Sequence, residues 1–270
     1  MGTALTNPRS DRVKAVRALS RRSVRSRTGQ FLAEGPQSVR EAVRFRPELV
    51  RDVYVTAEAA GRHTEIVEAA RAARLRVHEV TPEVLAAMGD TESPQGVAAV
   101  CRVLDVTLET ALRDLPPDAL VCVLTHVRDP GNAGTVIRGA DAAGADLVVV
   151  SDASVDVYNP KVVRSTAGSL FHLPIVVDVP VPEILAVLRA RGIRLLAADG
   201  AGTTLLHDTD LSRGHAWVMG NEAWGLEPEV RDACDEVVRV PIYGHAESLN
   251  LAMAATVCLY ASAEARRRTR

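Results

Sequence analysis

The second half of the sequence alternates short, almost continuous apolar runs with segments of helical length. Such runs occupy residues 119–124, 146–150, 193–198 and 215–219. Runs of this length without alternating polar positions are typical of strands that are covered on both faces. Strands that are separated by helices predict a parallel, doubly wound sheet of the α/β class, whose ligands bind at the carboxyl ends of the strands.

The first hundred residues also alternate between strand-like and helix-like patterns of apolar residues. Strands are predicted at residues 31–35, 50–55, 75–80 and 97–103, with helices between them. This pattern predicts a separate small α/β domain. Pro116 and Pro117 lie in a segment that we interpret as a linker. The predicted boundaries are therefore 1–105 for the first domain, 106–118 for the linker and 119–270 for the second domain.

The charge of the chain is unevenly distributed. The net charge is -2, which by itself argues against a nucleic-acid partner. Residues 9–27, however, carry eight Arg or Lys and one acid, and the last five residues include four Arg. Local basic clusters are typical of phosphate binding, although a solvated or disordered basic tail is an alternative. Residues 1–10 are expected to be disordered.

Cysteine use and hydropathy exclude several classes of protein. The four cysteines are far apart and form no C-x-x-C pair, which argues against a zinc site or a disulfide framework. The N-terminus has no apolar signal core, and no apolar run is long enough to span a membrane. We therefore expect a cytoplasmic protein without a metal and without a membrane partner. Aromatic residues are only 3% of the chain, which limits RNA binding by rows of stacked rings.

The last apolar run of the chain combines a strand, a turn and a helix. Residues 237–240 are predicted to form a buried strand that Pro241 ends, and Gly244 permits a bend. Ser248 stands at a position typical of a helix N-cap. The helix that follows has apolar residues on nearly all sides, so we expect it to be buried.

Two further stretches each join a strand end to a glycine-rich turn and a polar residue. They are Asp129-Pro-Gly-Asn-Ala-Gly-Thr-Val-Ile-Arg138 and Val218-Met-Gly-Asn-Glu-Ala-Trp-Gly-Leu226. With the last apolar run, in this order and spacing, they resemble the three signature motifs of the SpoU/TrmH family in the SPOUT superfamily. Members are S-adenosylmethionine-dependent methyltransferases that act on the ribose 2'-hydroxyl of RNA. The resemblance covers most of the chain.

The resemblance implies features that composition and periodicity do not show. They are a C-terminal trefoil knot in the methyltransferase domain and a homodimer. The segments Phe31-Leu-Ala-Glu-Gly35 and Thr91-Glu-Ser-Pro-Gln-Gly-Val97 resemble the start and end of the family's L30e-like substrate-binding domain. That extra domain favours ribosomal RNA, most of all 23S rRNA, over tRNA as the substrate.

Arg138 is the residue to which the resemblance assigns catalysis. Because arginine is effectively always protonated, we hypothesise that Arg138 stabilises the developing alkoxide and grips a neighbouring phosphate, which could take the proton. Asn132 is expected to organise its loop and to cap the helix that presents Arg138. Glu222 is expected to pair with Arg138 or with a backbone amide. Ser248 and Asn250 are expected to position the arginine and the ribose.

The resemblance also implies residues that bind S-adenosylmethionine and RNA. Those expected at the cofactor are Ala198, Gly220, Val240, Ile242 and Leu249. A glycine allows a close backbone approach, and valine and leucine can cover an adenine face. The expected phosphate contacts are Lys161, Arg164, Arg21 and Arg22.

Other interpretations of the chain remain open. A tRNA 2'-O-methyltransferase and a non-catalytic RNA-binding or ribosome-assembly protein with the same fold are both compatible with the sequence. The turn Asp199-Gly-Ala-Gly202 mimics a Rossmann-type glycine loop, but it lacks the third glycine and a clear following helix. His207, Asp208 and Asp210 resemble metal ligands with nothing else converging on them, and His126 is expected to be structural.

Overall fold

The structure of the protein, a computed structural model, describes residues 4–269. The strands are β1 (Gln30–Glu34), β2 (Val50–Thr56), β3 (Arg76–Val80), β4 (Val97–Arg102), β5 (Leu120–Leu124), β6 (Leu147–Ser151), β7 (Ile175–Val179), β8 (Arg194–Ala198), β9 (Thr204–Leu205), β10 (His215–Met219) and β11 (Glu236–Arg239). The helices are α1 (Asp11–Arg17), α2 (Arg22–Thr28), α3 (Pro36–Phe45), α4 (Ala57–Arg62), α5 (Thr64–Ala72), α6 (Pro82–Met88), α7 (Leu108–Arg113), α8 (Pro130–Ala142), α9 (Pro160–Ser165), α10 (Val181–Ala190), α11 (Pro228–Asp232) and α12 (Leu251–Thr269).

The chain folds into two compact units. The first comprises the described residues up to Leu104 together with Asp156–His172. The second comprises Asp105–Val155 and the described residues from Leu173 onward. The segment that contains α9 thus belongs to the first unit, although it lies between strands of the second in sequence.

The first unit is built on a four-stranded sheet in the order β1-β4-β2-β3. The strand β4 runs antiparallel to β1 and β2, whereas β2 and β3 are parallel. The predicted disorder of residues 1–10 is wrong for the part that the structure describes, because Leu5 forms a parallel bridge with Val80. Residues 1–3 lie outside the described residues.

Segment 156–172 is fixed to the first unit by charge and by aromatic packing. The buried guanidinium of Arg25 donates to the Asp156 carboxylate at 2.6 and 3.0 Å and to the carbonyls of Leu19 and Ser20. The ring of Phe31 lies 4.8 Å from that of Tyr158. Arg25, one of the eight basic residues in the N-terminal cluster, therefore has a structural role rather than an exposed one.

The second unit contains a seven-stranded sheet in the order β7-β6-β5-β10-β8-β11-β9. Every pairing in this sheet is parallel. All five residues of β5, β6 and β10 are buried, as expected for strands covered on both faces. The α/β class with a parallel sheet, predicted from the apolar runs, is confirmed.

The segment predicted to be a linker contains a helix. Thr107 caps α7 by accepting a hydrogen bond from Thr110 N. Leu108 and Leu112, one turn apart, are buried in the core of the second unit. The Pro116-Pro117 pair follows this helix and does not mark an unstructured stretch. An interpretation from proline content alone misses the two leucines spaced one helical turn apart before the prolines.

The final helix differs from the prediction in its start and its exposure. It begins at Leu251, and Asn250, not Ser248, caps it: the Asn250 Oδ1 atom accepts a hydrogen bond from Ala252 N at 2.9 Å. The expectation that α12 is buried all round is wrong, because one side is exposed. The helix also continues through the basic C-terminal residues, where the Arg266 guanidinium lies 3.1 Å from Asp146.

Candidate active site

The three motif stretches follow neighbouring strands at one edge of the parallel sheet. Met219, the last residue of β10, pairs with Leu124 of β5 on one side and Ala198 of β8 on the other. Ala198 in turn pairs with Val238 of β11. The loops after β5, β10, β8 and β11 therefore lie side by side, at the carboxyl edge where open parallel sheets bind ligands.

Glu222 joins two of these loops through its carboxylate. Its oxygens accept hydrogen bonds from the backbone N–H groups of Arg128 at 3.2 Å and Asp129 at 3.1 Å, and from Asn132 Nδ2 at 3.3 Å. Two partners were expected for Glu222, a backbone amide or Arg138. The structure shows backbone amides as its partners and no pairing with Arg138. A carboxylate that accepts from several donors fixes the loop after β5 relative to the loop after β10.

Asn132 lies inside α8 rather than capping it. The cap is Asp129, whose Oδ1 atom accepts from Asn132 N at 2.7 Å, with Pro130 at the first helical position. The expectation that Asn132 caps this helix is wrong, because proline favours that first position and leaves the preceding residue as the cap. The side chain of Asn132 is free for another role, and its Oδ1 atom accepts from Asn250 Nδ2 at 3.0 Å.

Glu222, Asn132 and Asn250 therefore form one chain of hydrogen bonds. It connects the loop after β10 to the start of α8 and to the start of α12, and Asn250 uses its side-chain oxygen to cap α12. Ser248 is exposed in the stretch before α12 and, within residues 4–269, has no side-chain hydrogen bond. Three of the five predicted catalytic residues are thus brought together, and Ser248 is not joined to them.

Arg138 lies on α8, six residues after Asn132. Its side chain is exposed, and among the described residues its guanidinium forms no hydrogen bond or ion pair. A guanidinium carries its charge at any accessible pH and presents donors in a planar fork. Arg138 can therefore bind an anion from a rigid element without first breaking an internal contact.

Three of the five residues predicted to bind the cofactor lie at this same edge of the sheet. Ala198, Gly220 and Val240 follow or end the adjacent strands β8, β10 and β11. Ile242 and Leu249 lie in the exposed stretch before α12, at 39% and 36% exposure. Apolar side chains that stand open beside strand ends suit an adenine ring, so these residues fit a nucleoside-bearing cofactor.

Gly220 has a structural reason of its own to be glycine. A Cβ atom there would lie 2.3 Å from the carbonyl carbon of Gly225. The close approach arises because Asn221 and Gly225 pair through two backbone hydrogen bonds of 2.8 and 2.9 Å. This glycine therefore closes the loop that carries Glu222.

The four residues predicted to contact RNA all lie in the first unit. Arg21 and Arg22 are exposed at the start of α2, and Lys161 is exposed on α9. Arg164 is different, because its guanidinium pairs with the nearly buried Glu34 at 3.0 Å. Both residues of that pair line a cavity of about 290 Å³ in this unit, together with Ser38, Thr91, Ser93 and Gln95.

Other polar and reactive groups of the second unit are buried or make contacts that stabilise the fold. His126 has a positive φ of 51° at the end of β5, and its ring stands 3.7 Å from Asp152 and 3.6 Å from Glu227. Burial raises the pKa of Cys122 and Cys258 to about 12, so these thiols are not nucleophiles at neutral pH. Asp199 closes its own turn through Ala201 N.

Neither a cluster of metal ligands nor a membrane-spanning helix is found among the described residues. Between residues 4 and 269 no group of three or more His, Cys, Asp or Glu side chains is arranged to hold a metal ion. None of the helices in that range has the length and hydropathy needed to cross a membrane.

Sequence reasoning missed two residues that shape this edge. Asp129 caps α8, and the Asp-Pro pair that opens the motif was a readable signal for it. Asn221 donates from Nδ2 to the His126 carbonyl at 2.6 Å and so ties the two loops a second time. No periodicity marks Asn221, because its partner lies 95 residues away in the sequence.

Comparison with known proteins matches two stretches of the chain to two families. Residues 119–260 match the SpoU rRNA methylase family, and residues 10–99 match the MRM3-like substrate binding domain. The 23S rRNA (guanosine(2553)-2'-O)-methyltransferase RlmP of Bacillus subtilis (strain 168) is 34% identical over 256 residues. That alignment covers 95% of this chain and 97% of the relative.

Solved structures are similar over nearly the whole length. An AdoMet-bound rRNA methyltransferase from Sinorhizobium meliloti has a TM-score of 0.84 at 29% identity, covering 99% of this chain and 98% of its own. The SpoU methyltransferase AviRb from Streptomyces viridochromogenes, in complex with the cofactor AdoMet, has a TM-score of 0.84 at 32% identity, covering 96% and 100%. On its motifs, its sheet and these similarities, the chain belongs to the SpoU rRNA methylase family.

Proposed function

We propose that the protein transfers a methyl group from S-adenosylmethionine to a ribose 2'-hydroxyl of structured RNA, with 23S rRNA as the substrate. The observation that carries the proposal is the hydrogen-bond chain from Glu222 through Asn132 to Asn250. It joins the three motif stretches at the carboxyl edge of the sheet. Relatives named as 23S rRNA 2'-O-methyltransferases, which align over 88% or more of this chain, support the choice of substrate.

The hydrogen-bond chain serves to preorganise the site. Glu222 holds the loop that starts α8, and Asn250 holds the start of α12 against Asn132. A transfer reaction between two bound partners gains most from fixed geometry, because orientation is the main cost that a protein can remove in advance. On this proposal Asn132, Glu222 and Asn250 position other groups and do not exchange protons.

Arg138 would act directly on the substrate. When the adjoining phosphate takes the 2'-hydroxyl proton, negative charge develops on the ribose oxygen, and a nearby guanidinium stabilises that charge. The same planar fork can bind the adjoining phosphate through two parallel hydrogen bonds. The unpaired state of Arg138 within the described residues suits both contacts.

Ala198, Gly220, Val240, Ile242 and Leu249 would hold the cofactor. S-adenosylmethionine supplies an activated methyl group, so the chain needs no metal or nucleophile of its own for the transfer. The residues contribute backbone groups at three strand ends and two exposed apolar side chains that exclude water. Lys161, Arg21 and Arg22 would contact RNA phosphates from the first unit, and Arg164 would do so from its pair with Glu34.

Methyl transfer from labelled S-adenosylmethionine to unmodified 23S rRNA, 16S rRNA and tRNA transcripts tests the proposal. We expect label on 23S rRNA with the wild type and a loss of at least about a hundredfold with Arg138→Ala, as for removal of one oxyanion-stabilising donor. Arg191→Ala, at an exposed arginine just after α10 to which no role is assigned, is the matched control for a lost arginine and should retain transfer. Label on tRNA alone would favour the tRNA alternative.

A non-catalytic RNA-binding protein with this fold makes a different prediction for the same experiment. It would bind the transcripts and leave all of them unlabelled, with no binding of S-adenosylmethionine by calorimetry. That pair of results would reject the proposed reaction.

We also propose that the protein is a homodimer through the exposed side of α12. Met253, Val257 and Tyr260 lie at helical spacing and are 62%, 43% and 51% exposed. A contiguous apolar stripe beside a site is typical of a covered surface, and a second copy of the chain is the occupant that the family resemblance implies.

Sedimentation of Val257→Glu tests the dimer. A charge buried against an apolar partner surface is costly, so we expect the variant to sediment as a monomer while the wild type sediments as a dimer. Phe45→Glu, at a comparably exposed apolar residue of the first unit, should leave the dimer intact. A wild type that sediments as a monomer at micromolar concentration would contradict the proposal.

The C-terminal trefoil knot and the cytoplasmic location stay proposals that rest on the family resemblance. An experimentally traced backbone from β8 to α12 tests the first. Fractionation of cells that express the tagged chain tests the second, since association with ribosomal RNA requires the compartment in which ribosomes are assembled.

A further inference from the structure

The loop after β10 presents an exposed tryptophan beside the proposed active site. The chain has two tryptophans: Trp217 is completely buried, whereas Trp224 is 51% exposed. Trp224 is two residues from Glu222, whose carboxylate joins the motif loops. A large aromatic side chain left open to solvent in a chain with so few aromatics calls for an explanation beyond packing.

The loop holds Trp224 in a fixed position. Asn221 and Gly225 exchange two backbone hydrogen bonds, so the intervening residues form a closed tip. Ala223 N also donates to Asn221 Oδ1 at 2.8 Å. Gly225 has a φ of +73°, a conformation that L side chains rarely adopt, which lets the tip close. Because the backbone is already ordered, contact with a ligand costs little conformational entropy.

Arg128 completes a surface with two planar groups. Its guanidinium carbon lies 5.4 Å from the centroid of the Trp224 ring, a cation–π contact. Its backbone N–H donates to Glu222 at 3.2 Å, so the carboxylate that organises the proposed site also fixes the arginine. An indole and a guanidinium from two loops thus stand together next to Asn132 and its hydrogen bonds.

We infer that Trp224 and Arg128 form a stacking platform for an unstacked nucleobase next to the methylated ribose. Aromatic rings and arginine planes are the groups on which proteins stack splayed RNA bases, and the positive charge suits the flanking phosphate. The inference rests on the proposed function and deepens it, because it adds base-dependent positioning of the RNA to the chemistry of Arg138.

A protein interface is the competing use of such a pair, since tryptophan and arginine are also frequent there. Within residues 4–269 the apolar stripe of α12 makes no cation–π contact, whereas the platform is part of the loops that carry Glu222 and Asp129. The RNA interpretation is therefore favoured, and the protein interface becomes an outcome of the test.

The test compares Trp224→Ala and Trp224→Phe with the wild type, using labelled S-adenosylmethionine and the 23S rRNA transcript. Loss of one base stack is expected to raise the KM for RNA about 5- to 150-fold in Trp224→Ala, with kcat much less affected. Trp224→Phe keeps a stacking ring and should restore most of the affinity. S-adenosylmethionine binding should be unchanged in both variants.

A matched control is available in the first unit. Arg44 lies 5.2 Å from the ring of Phe45, which is 45% exposed, so Phe45→Ala removes a similar pair at another place. We expect it to leave the KM for RNA near that of the wild type. A Trp224→Ala variant with an unchanged KM, or one that loses dimerisation instead of RNA affinity, would overturn the platform.

Tryptophan fluorescence separates this inference from the proposed reaction. Because Trp217 is buried, RNA that stacks on the platform should quench the exposed fraction of the emission and should not quench Trp224→Phe. Quenching with no methyl transfer to any RNA would reject the proposed reaction and retain the platform. Methyl transfer without quenching would reject the platform and retain the reaction.

Discussion

The Glu222 carboxylate gives the sharpest test of how the site is organised. In Glu222→Gln one carboxylate oxygen is replaced by an amide NH2 group. This group cannot accept the hydrogen bond that a backbone N–H donates at that position. One hydrogen bond is therefore lost, and those from the remaining two donors become bonds to a neutral oxygen. With about 0.5–1.5 kcal/mol for each bond of an exposed group, the loop should be destabilised by about 1–2 kcal/mol.

This energy predicts a local effect that hydrogen exchange can measure. A change of about 1–2 kcal/mol corresponds to exchange about 5- to 30-fold faster at the amides of Arg128 and Asp129. Glu229→Gln is the matched control, because that side chain is exposed on α11 and, among the described residues, forms no hydrogen bond or ion pair. Unchanged exchange in Glu222→Gln, or an equal increase in both variants, would refute the reasoning that Glu222 holds this loop.

Two further predictions concern the final helix and a buried histidine. Asn250→Ala removes the cap of α12 and the bond to Asn132, so we expect the free energy of unfolding to fall by about 1 kcal/mol in urea titrations, whereas Ser248→Ala should change it by less than about 0.5 kcal/mol. A larger effect at Ser248 would mean that the helix starts earlier. Burial lowers the pKa of His215, so the unfolded state binds the proton more readily; stability should be constant above the ordinary histidine pKa of about 6.5 and should fall as the pH drops below it. His215→Gln should lose this slope in urea titrations between about pH 5 and 8, and a wild type without the slope would contradict the assigned cause.

The parallel sheet could be predicted because its central strands are fully covered. Almost uninterrupted apolar residues in the fully buried strands β5, β6 and β10 leave few alternatives to strands with helices on their faces. The motif stretches were likewise found, because each is local in sequence. Glu222 was expected to meet either a backbone amide or Arg138, and the contact that decides between them spans 93 residues.

What could not be predicted depends on partners that are distant in sequence. Alanine-rich α12 has apolar residues on all sides, so its periodicity does not say which side packs in the chain and which is left exposed. The pairing of Arg25 with Asp156 joins residues 131 positions apart and gives a buried role to a residue that composition assigns to a basic surface cluster. The contact between Trp224 and Arg128 likewise joins residues that are far apart in the sequence.

The chemical position of the transferred methyl group tests the central claim most directly. After reaction of the wild type with unmodified 23S rRNA and labelled S-adenosylmethionine, digestion to nucleosides separates ribose-methylated from base-methylated products. We predict label in a single 2'-O-methyl nucleoside, resistant to alkali, which is lost in Arg138→Ala. Label on a base, or ribose label of equal amount in Arg138→Ala, would contradict the account of this site.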